Sequence, residues 1–230
     1  MRRFLRFLDL SKFEYCLWVV SVLVSLAAFF IARQGVLQLL TTLVGVTALI
    51  FVAKGRVLGQ VLTVLFAVLY AAVSYDLRYY GEMITYLFMT APMALFAVIS
   101  WLRHPYSKKE VAVGRLSRGK LWFLLLGSVS VTALFYFLLR ALGNASLAVS
   151  TLSITTSFLA SALTFFRHPL YAVGYAANDI VLIVLWVIAA IDSPAYFTMV
   201  ACFLMFFLND VYGYLNWRRM QKRQNKSAYG

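Results

Sequence analysis

Two Asn-Asp pairs, Asn178-Asp179 and Asn209-Asp210, interrupt apolar stretches in the second half of the sequence. A tryptophan follows each aspartate by seven residues, which is two helical turns and puts both side chains on one helix face. Amide and carboxyl groups are costly inside a membrane unless paired or hydrated, and they commonly mark a substrate or ion path. We therefore predict that these pairs bind a polar ligand; the alternative is a structural network that holds helices together.

Three aromatic residues, Tyr70, Trp186 and Tyr212, also lie deep within apolar stretches. A buried ring with a polar tip needs a hydrogen-bond partner, and the wall of a polar cavity supplies one. Pro92 lies mid-helix two residues after Thr90; it removes a backbone hydrogen bond and predicts a kink. The predicted substrate-binding residues are Asn178, Asp179, Trp186, Asn209, Asp210, Tyr212, Tyr70 and Thr90.

The composition indicates a membrane protein, because 63% of the 230 residues are hydrophobic and only 13% are charged. A soluble core cannot hide that much apolar surface, whereas a spanning helix needs about 20 mostly apolar residues. Eight runs of this kind are separated by short polar breaks, which predicts an all-α fold. The predicted spans are residues 14–32, 36–53, 57–75, 83–102, 120–140, 145–166, 171–191 and 195–217.

Basic residues are divided unevenly between the two sides of these spans. The amino terminus, alternate loops and the carboxyl tail hold 18 of the 21 Lys and Arg residues; the opposite side holds only Arg33, Arg78 and Arg140. Cytoplasmic loops carry the excess of basic residues in membrane proteins. We therefore expect a multi-pass protein of the cell membrane with both termini in the cytoplasm. The net charge of +13 then reflects orientation in the lipid bilayer, and nucleic-acid binding is set aside.

The sequence contains a weak internal repeat with a shift of 116 residues. The aligned pairs are Tyr70 with Trp186, Asp76 with Asp192, and Trp101 with Trp217. Parallel three-helix repeats joined by one inverting helix are a known transporter plan. The predicted parts are an extra N-terminal helix in 1–35, repeats in 36–102 and 144–217, a cytoplasmic loop and linker helix in 103–143, and a basic cytoplasmic tail in 218–230.

Sequence signals of catalysis, of a cofactor or of a metal site are missing. There is no Ser-His-Asp set, no histidine pair with metal spacing and no phosphate-binding glycine loop; Cys16 and Cys202 lie singly in apolar runs. We expect no enzyme activity, no cofactor and no metal. Two alternatives of other classes remain: an intramembrane enzyme acting on lipids, which needs acids or histidines clustered at one interface, and an assembly factor without a transported ligand.

Several segments are similar to the PnuC family of vitamin-precursor transporters. They are residues 206–217 (FFLNDVYGYLNW), residues 175–179 (YAAND) with the following Leu-Trp pair, and residues 79–82 (YYGE). In pattern, the resemblance covers residues 36–220. It implies uptake of nicotinamide riboside by facilitated diffusion through one central site, in a fold that resembles the SWEET sugar carriers.

The same resemblance implies a small-molecule vitamin precursor as ligand and a cytoplasmic kinase that traps it by phosphorylation. The sequence departs from the family in helix 4, where many members have a Leu-Gln pair and this chain has Leu87-Phe88. The ligand contacts of that helix are therefore open, and thiamine and riboflavin stay as alternative substrates. A homo-oligomer is a further possibility that the sequence leaves open.

Overall fold

The computed structural model of the chain describes residues 10–32, 35–76, 79–144, 146–193 and 196–229. Eight helices in this described part are long and apolar enough to cross a membrane, which confirms the predicted fold class. The helices are α1 Lys12–Ala32, α2 Val36–Ala53, α3 Val57–Asp76, α4 Tyr80–Arg103, α5 Arg118–Ala141, α6 Leu147–Phe165, α7 Tyr171–Asp192 and α8 Phe197–Tyr229. Their ends lie within three residues of the predicted ones, except that α8 continues beyond residue 217.

Part of the predicted orientation depends on residues outside the described ranges. These residues are Arg2, Arg3, Arg6, Arg33 and Arg78. The remaining basic residues of the longest loop and of the end of α8 lie on one side of the described helices. They accompany a short hairpin formed by β1 Pro105–Ser107 and β2 Glu110–Val111. We call this the hairpin side, and the opposite end of the helices the far side.

Six of the helices form a closed ring in the order α2, α3, α4, α6, α7 and α8, with α8 packing back against α2. The first helix packs outside the ring against α2 and α8, and α5 packs outside it against α6. The interior of the ring is rich in aromatic and small side chains. A closed ring leaves one central axis along which polar side chains of different helices can meet.

Equivalent hydrogen bonds hold α4 to α6 and α8 to α2. The indole of Trp101 donates to the carbonyl of Thr164 at 3.0 Å, and the indole of Trp217 donates to the carbonyl of Val52 at 2.9 Å. The residue before each tryptophan repeats the pattern with the next carbonyl: Ser100 donates to Phe165 and Asn216 donates to Ala53. The two junctions of the ring are therefore built in the same way.

The fourth helix changes its geometry in the middle of the membrane. Residues Tyr86–Thr90 form a π-helical segment, in which the N–H of Ala91 donates to the carbonyl of Tyr86. Pro92 lies two residues after the end of this segment, and it has no N–H for the carbonyl four residues earlier. The widened turn accommodates the proline and separates the far-side part of α4 from its hairpin-side part. Segments of this kind are frequent at functional sites.

The end of α8, predicted as a basic tail, is helical because it has a packing partner. Gln224 is 9% exposed; its amide nitrogen donates to the carbonyl of Val111 at 3.1 Å and its amide oxygen accepts from the N–H of Val113 at 2.8 Å. Arg223 forms an ion pair with Glu110 of the hairpin. These contacts satisfy backbone groups of the loop, and they extend α8 through Tyr229.

The turn between α6 and α7 fastens the loop to the hairpin side of the ring. Arg167 has a left-handed φ of 58°, and its guanidinium donates to Ser100 Oγ at 2.7 Å and to the carbonyl of Ala112 at 3.2 Å. Burial lowers the pKa of this guanidinium. The strained backbone is thus accompanied by hydrogen bonds from the same side chain to two different elements.

Candidate substrate site

A small cavity of about 60 Å³ lies at the centre of the ring. All six ring helices contribute to its wall. Its polar lining residues are Gln60, Thr63, Tyr86, Thr90, Ser157, Tyr175, Asn178, Asp179 and Asp210. Pockets that hold small molecules usually measure about 300–1,000 Å³. The surrounding helices must therefore move apart before a molecule of nucleoside size can enter.

Asn178 is held in the cavity wall by hydroxyl groups of α6. Its amide oxygen accepts hydrogen bonds from Thr156 at 2.8 Å, Ser157 at 3.0 Å and Ser153 at 3.4 Å. These hydroxyls lie on one face of α6, at spacings of three and four residues. Since three donors occupy the amide oxygen, the orientation of the side chain is fixed. A fixed amide can distinguish donors from acceptors on a ligand.

Two carboxyl groups meet in the same wall. The carboxyl groups of Asp179 and Asp210 are within hydrogen-bond reach of each other, and both residues are 3% exposed. A hydrogen bond between two carboxyl groups requires a proton on one of them. Asp179 Oδ2 and the hydroxyl of Thr90 have no hydrogen-bond partner within the described residues. Buried polar atoms are usually satisfied, so these two atoms indicate a place for a polar ligand or water.

Aromatic rings close the far side of the cavity. We call Tyr70, Tyr79, Tyr86, Trp186 and Tyr196 the far-side aromatic cluster. Its ring centroids lie 4.2 Å apart for Tyr70 and Tyr86, and 4.7 Å apart for Tyr79 and Trp186. The indole of Trp186 donates to the hydroxyl of Tyr70 at 3.2 Å and joins the two pairs. Tyr79 also lines a pocket of about 270 Å³ on the far side, so the cluster stands between that pocket and the cavity.

A second group of rings lies on the hairpin side of the cavity. Trp101, Tyr171 and Trp217 form this hairpin-side aromatic cluster, with the centroids of the two tryptophans 5.4 Å apart and those of Tyr171 and Trp217 5.0 Å apart. All three are at most 1% exposed. Packed aromatic side chains therefore lie both on the far side and on the hairpin side of the cavity.

The eight predicted site residues lie in three different regions of the structure. Thr90, Asn178, Asp179 and Asp210 line the cavity. Tyr70 and Trp186 belong to the far-side aromatic cluster, and Asn209 and Tyr212 face α1 instead of the cavity wall. The amide nitrogen of Asn209 donates to Ser21 at 3.1 Å, and the Tyr212 hydroxyl donates to Glu14 at 2.7 Å.

Several cavity residues were not among the predicted site residues: Gln60, Ser157, Tyr86 and Tyr175. Gln60 is 2% exposed in a sequence stretch that is otherwise apolar, and an isolated glutamine there is a signal that sequence reading could have used. The hydroxyls of α6 carried no such signal, because serine and threonine satisfy themselves on backbone carbonyls in many membrane helices. These hydroxyls contribute to the site because they donate hydrogen bonds to the amide of Asn178 on α7.

A larger pocket of about 430 Å³ lies under the hairpin, outside the ring. Basic side chains of Arg56, Lys108 and Lys109 contribute to its wall. It opens at the membrane surface and shares no lining residue with the cavity, so we place the substrate site in the smaller central cavity. Among the described residues, no group of three His, Cys, Asp or Glu side chains could hold a metal ion.

A ring of spanning helices around one polar cavity, with aromatic clusters toward both ends, is the arrangement expected of a membrane transporter. The chain belongs to a transporter family, the nicotinamide mononucleotide transporters, whose profile matches residues 35–219. This match confirms the predicted family resemblance. It excludes the two alternative functions, an intramembrane enzyme and an assembly factor.

Individual proteins agree with the family assignment. The nicotinamide riboside transporter PnuC of Neisseria mucosa is 25% identical over 222 residues, which is 94% of this chain and 84% of that protein. The protein of the same name from Haemophilus influenzae is 24% identical over 218 residues, with 94% and 93% covered. A crystal structure of the vitamin B3 transporter PnuC has the same fold, with a TM-score of 0.79 at 24% identity and 94% of each chain covered.

Proposed function

We propose that this protein carries nicotinamide riboside across the cell membrane. The supporting observation is the composition of the cavity: amide and hydroxyl groups beside two carboxyl groups, with aromatic rings on either side. Ribose hydroxyls both donate and accept hydrogen bonds, which suits Asn178, Gln60 and Thr90. The positively charged nicotinamide ring suits carboxyl groups and aromatic faces. The names of the two bacterial relatives point to the same substrate.

The charges in the cavity favour the riboside over its phosphorylated form, the mononucleotide. A phosphate group adds nearly two negative charges at neutral pH. No lysine, arginine or histidine lines the described cavity, whereas Asp179 and Asp210 both do. A phosphate would therefore enter a low-dielectric site beside carboxyl groups without any compensating cation. Thiamine shares a positive charge with the riboside, and a direct comparison of ligands must separate the two.

The proposed substrate-binding residues combine the predicted set with the cavity wall. Asn178, Asp179, Asp210 and Thr90 contact the substrate directly, and the tips of Tyr70 and Trp186 contact it on passage through the far-side aromatic cluster. Asn209 and Tyr212 act indirectly: they connect α8 to α1 and so stabilise a wall of the cavity. In this proposal, α1 supports one wall of the transport path.

We further propose that residues 36–102 and 144–217 are two repeats, joined by the linker helix within 103–143. The equivalent bonds of Trp101 and Trp217 support this division, as does the direct contact of Tyr70 with Trp186, which are 116 residues apart. The distribution of basic residues supports a cytoplasmic hairpin side. Residues 1–35 then add a helix outside the repeats, and residues 218–230 continue α8 into the cytoplasm.

Transport proceeds by alternate opening of the two aromatic clusters around the fixed cavity. Movement of the substrate is downhill in this proposal, since none of the described residues that line the cavity is a basic side chain that could exchange ion pairs during the cycle. Net uptake then requires that a cytoplasmic kinase phosphorylate the imported riboside. The charged product is held inside the cell because it no longer fits a cavity lined by carboxyl groups.

Binding and transport by the purified protein test this function. Thermal stabilisation should be measured with nicotinamide riboside, nicotinamide mononucleotide, nicotinamide, thiamine and riboflavin at equal concentrations. We expect the riboside to give the largest shift and the mononucleotide to give little. Proteoliposomes should then equilibrate labelled riboside. Stabilisation by thiamine or riboflavin with no response to the riboside would replace the proposed substrate.

A further inference from the structure

A buried glutamate, Glu82, lies on the path between the far-side pocket and the cavity. It follows Tyr79 by three residues and precedes Tyr86 by four, so the three side chains lie on one face at the start of α4. Tyr79 lines the far-side pocket and Tyr86 lines the cavity. Glu82 therefore lies between a residue of the pocket and a residue of the cavity, although it lines neither of them.

The carboxyl group of Glu82 is short of partners. The residue is 2% exposed, and its Oε2 has no hydrogen-bond partner in the described part of the chain. Among the described residues, ion pairs join Glu14 with Lys54 and Glu110 with Arg223, and neither of them involves Glu82. A buried carboxyl group with an unsatisfied oxygen is costly, and native proteins retain one where a ligand or an ion completes it.

Glu82 is surrounded by aromatic rings that carry hydroxyl groups. The rings of Tyr70 and Tyr86 lie 4.2 Å apart, and both hydroxyls are within electrostatic reach of the carboxyl group. The hydroxyl of Ser74, one turn beyond Tyr70 on α3, also has no hydrogen-bond partner among the described residues. Aromatic faces and a carboxyl group together recognise an organic cation, because both attract positive charge in a site from which water is excluded.

We propose that Glu82 forms a charge-selective station on the far side, which recognises the positively charged ring of the substrate before it reaches Asn178 and Asp179. The proposal rests on the proposed function, because it takes a cationic nucleoside as the transported molecule. The station admits a cation and repels an anion such as a phosphorylated nucleotide. Selection by charge thus begins one helical turn before the cavity.

The break in α4 gives this station a way to move. The residues Tyr80–Thr85 precede the π-helical segment, and the rest of the helix follows it. A hinge at Tyr86–Thr90 carries Glu82 together with Tyr79, while Thr90 stays beside the cavity. Opening of the far side therefore displaces the carboxyl group and the first ring of the path as one unit.

Two substrates that differ in charge test the proposal. Nicotinamide riboside carries a positive ring, whereas its reduced form, dihydronicotinamide riboside, has nearly the same shape and is neutral. Initial uptake of both should be measured in proteoliposomes with the unmodified protein and with Glu82→Gln, Glu82→Asp and the control Glu110→Gln, which removes a carboxylate on the hairpin. All four proteins should first be compared by thermal unfolding.

We expect Glu82→Gln to lower the uptake ratio of cationic to neutral riboside by about ten-fold or more, since only the cationic ring loses its attraction to an opposite charge in a site from which water is excluded. Glu82→Asp should keep most of the ratio, and Glu110→Gln should keep all of it. An unchanged ratio in Glu82→Gln overturns the proposal, including the case in which both substrates are lost together. If the unmodified protein transports only the cationic riboside, no ratio can be formed. In that case, uptake of the cationic riboside by Glu82→Gln at the rate of the unmodified protein overturns the proposal.

The same experiment separates this inference from the proposed function. Failure of the unmodified protein to take up either riboside contradicts the proposed function itself. Uptake by the unmodified protein with an unaltered ratio in Glu82→Gln contradicts only the role of Glu82. Equal loss of both substrates, with a normal unfolding temperature, would assign Glu82 to a step that does not depend on substrate charge, such as proton transfer.

Discussion

Trp101 and Trp217 are in direct contact, with ring centroids 5.4 Å apart, although 116 residues separate them in the sequence. Each indole donates to a backbone carbonyl of a helix from the other half of the chain. Residues related by a two-fold axis touch each other only when they lie close to that axis. In the proposed arrangement of two repeats, this contact marks where the repeats meet on the hairpin side.

The first prediction concerns these two indoles. Trp101→Phe and Trp217→Phe each remove one buried hydrogen bond while keeping a ring, so each should lower the free energy of unfolding by about 1 kcal/mol. The effects should be equal in size, and the double variant should be less than additive because the rings share a contact. Thermal unfolding in detergent measures both. Trp122→Phe on the exposed face of α5 is the control, and strongly unequal effects would contradict a shared architecture.

The second prediction separates the two asparagines of the Asn-Asp pairs. Asn178→Leu removes an amide from the cavity wall and should weaken riboside binding about ten-fold or more, the effect of losing hydrogen bonds worth about 1.4 kcal/mol. Asn209→Leu should mainly lower the unfolding temperature, because Asn209 bonds to Ser21 of α1. Affinity and unfolding should be measured on the same samples. Normal affinity in Asn178→Leu would remove this residue from the site.

The third prediction addresses the attachment of α1. Glu14 is 3% exposed and accepts from Lys54 and Tyr212, each at 2.7 Å. Lys54→Met leaves a buried carboxylate without its cation, which typically costs about 3–5 kcal/mol. The double variant with Glu14→Gln should recover much of the loss, because no charge is then left unpaired. A double variant as unstable as Lys54→Met would contradict the ion-pair explanation.

The fourth prediction is that transport needs no ion gradient. Proteoliposomes without a proton or sodium gradient should equilibrate labelled riboside, and the final level should equal the outside concentration. Asp179→Asn keeps a side chain that can hydrogen-bond to Asp210, so it should still reach the same final level, although at a lower rate because a carboxyl group that contacts the substrate is lost. Accumulation above equilibrium that requires a proton gradient, and that is lost in Asp179→Asn, would make the carboxyl pair a proton carrier.

The fifth prediction is a cytoplasmic hairpin side. In a protein whose Cys16 and Cys202 are replaced by alanine, single cysteines at Ser107 and Leu142 report on the hairpin side and the far side; both positions are exposed. An impermeant thiol reagent applied to intact cells should label the Leu142→Cys protein alone. Labelling of Ser107→Cys without Leu142→Cys would reverse the orientation.

The sequence alone was sufficient to predict the helices, but it predicted only part of the cavity lining. Spanning helices follow from apolar runs of about 20 residues, so their number and ends were predictable. Asn178 and Asp179 were found because buried polar residues are costly in a membrane. The same rule also selected Asn209 and Tyr212, whose partners belong to α1. A sequence pattern shows that a polar side chain needs a partner, whereas only the packing of helices decides which partner it has.

The residues that sequence reading missed share one property. The roles of Gln60 and Glu82 depend on residues that are distant in the sequence. Neither residue belongs to a repeated polar motif such as the two Asn-Asp pairs. Periodicity could not reveal the π-helical segment either, since a change of helix phase leaves no trace in a helix that is apolar on most sides. Proline 92 was the local signal that α4 departs from a regular helix, and it correctly located the departure.

The length of α8 has a mechanical consequence. One continuous helix joins Asp210, at the cavity, to Gln224, at the hairpin, and the 14 intervening steps of 1.5 Å span about 21 Å. A lever of that length magnifies small rotations: a tilt of about 10° around Asp210 displaces Gln224 by nearly 4 Å, by the same geometry. Hydrogen bonds to Val111 and Val113 do not survive such a displacement unless the hairpin moves as well. The hairpin must therefore move together with any displacement of the cavity wall that α8 transmits.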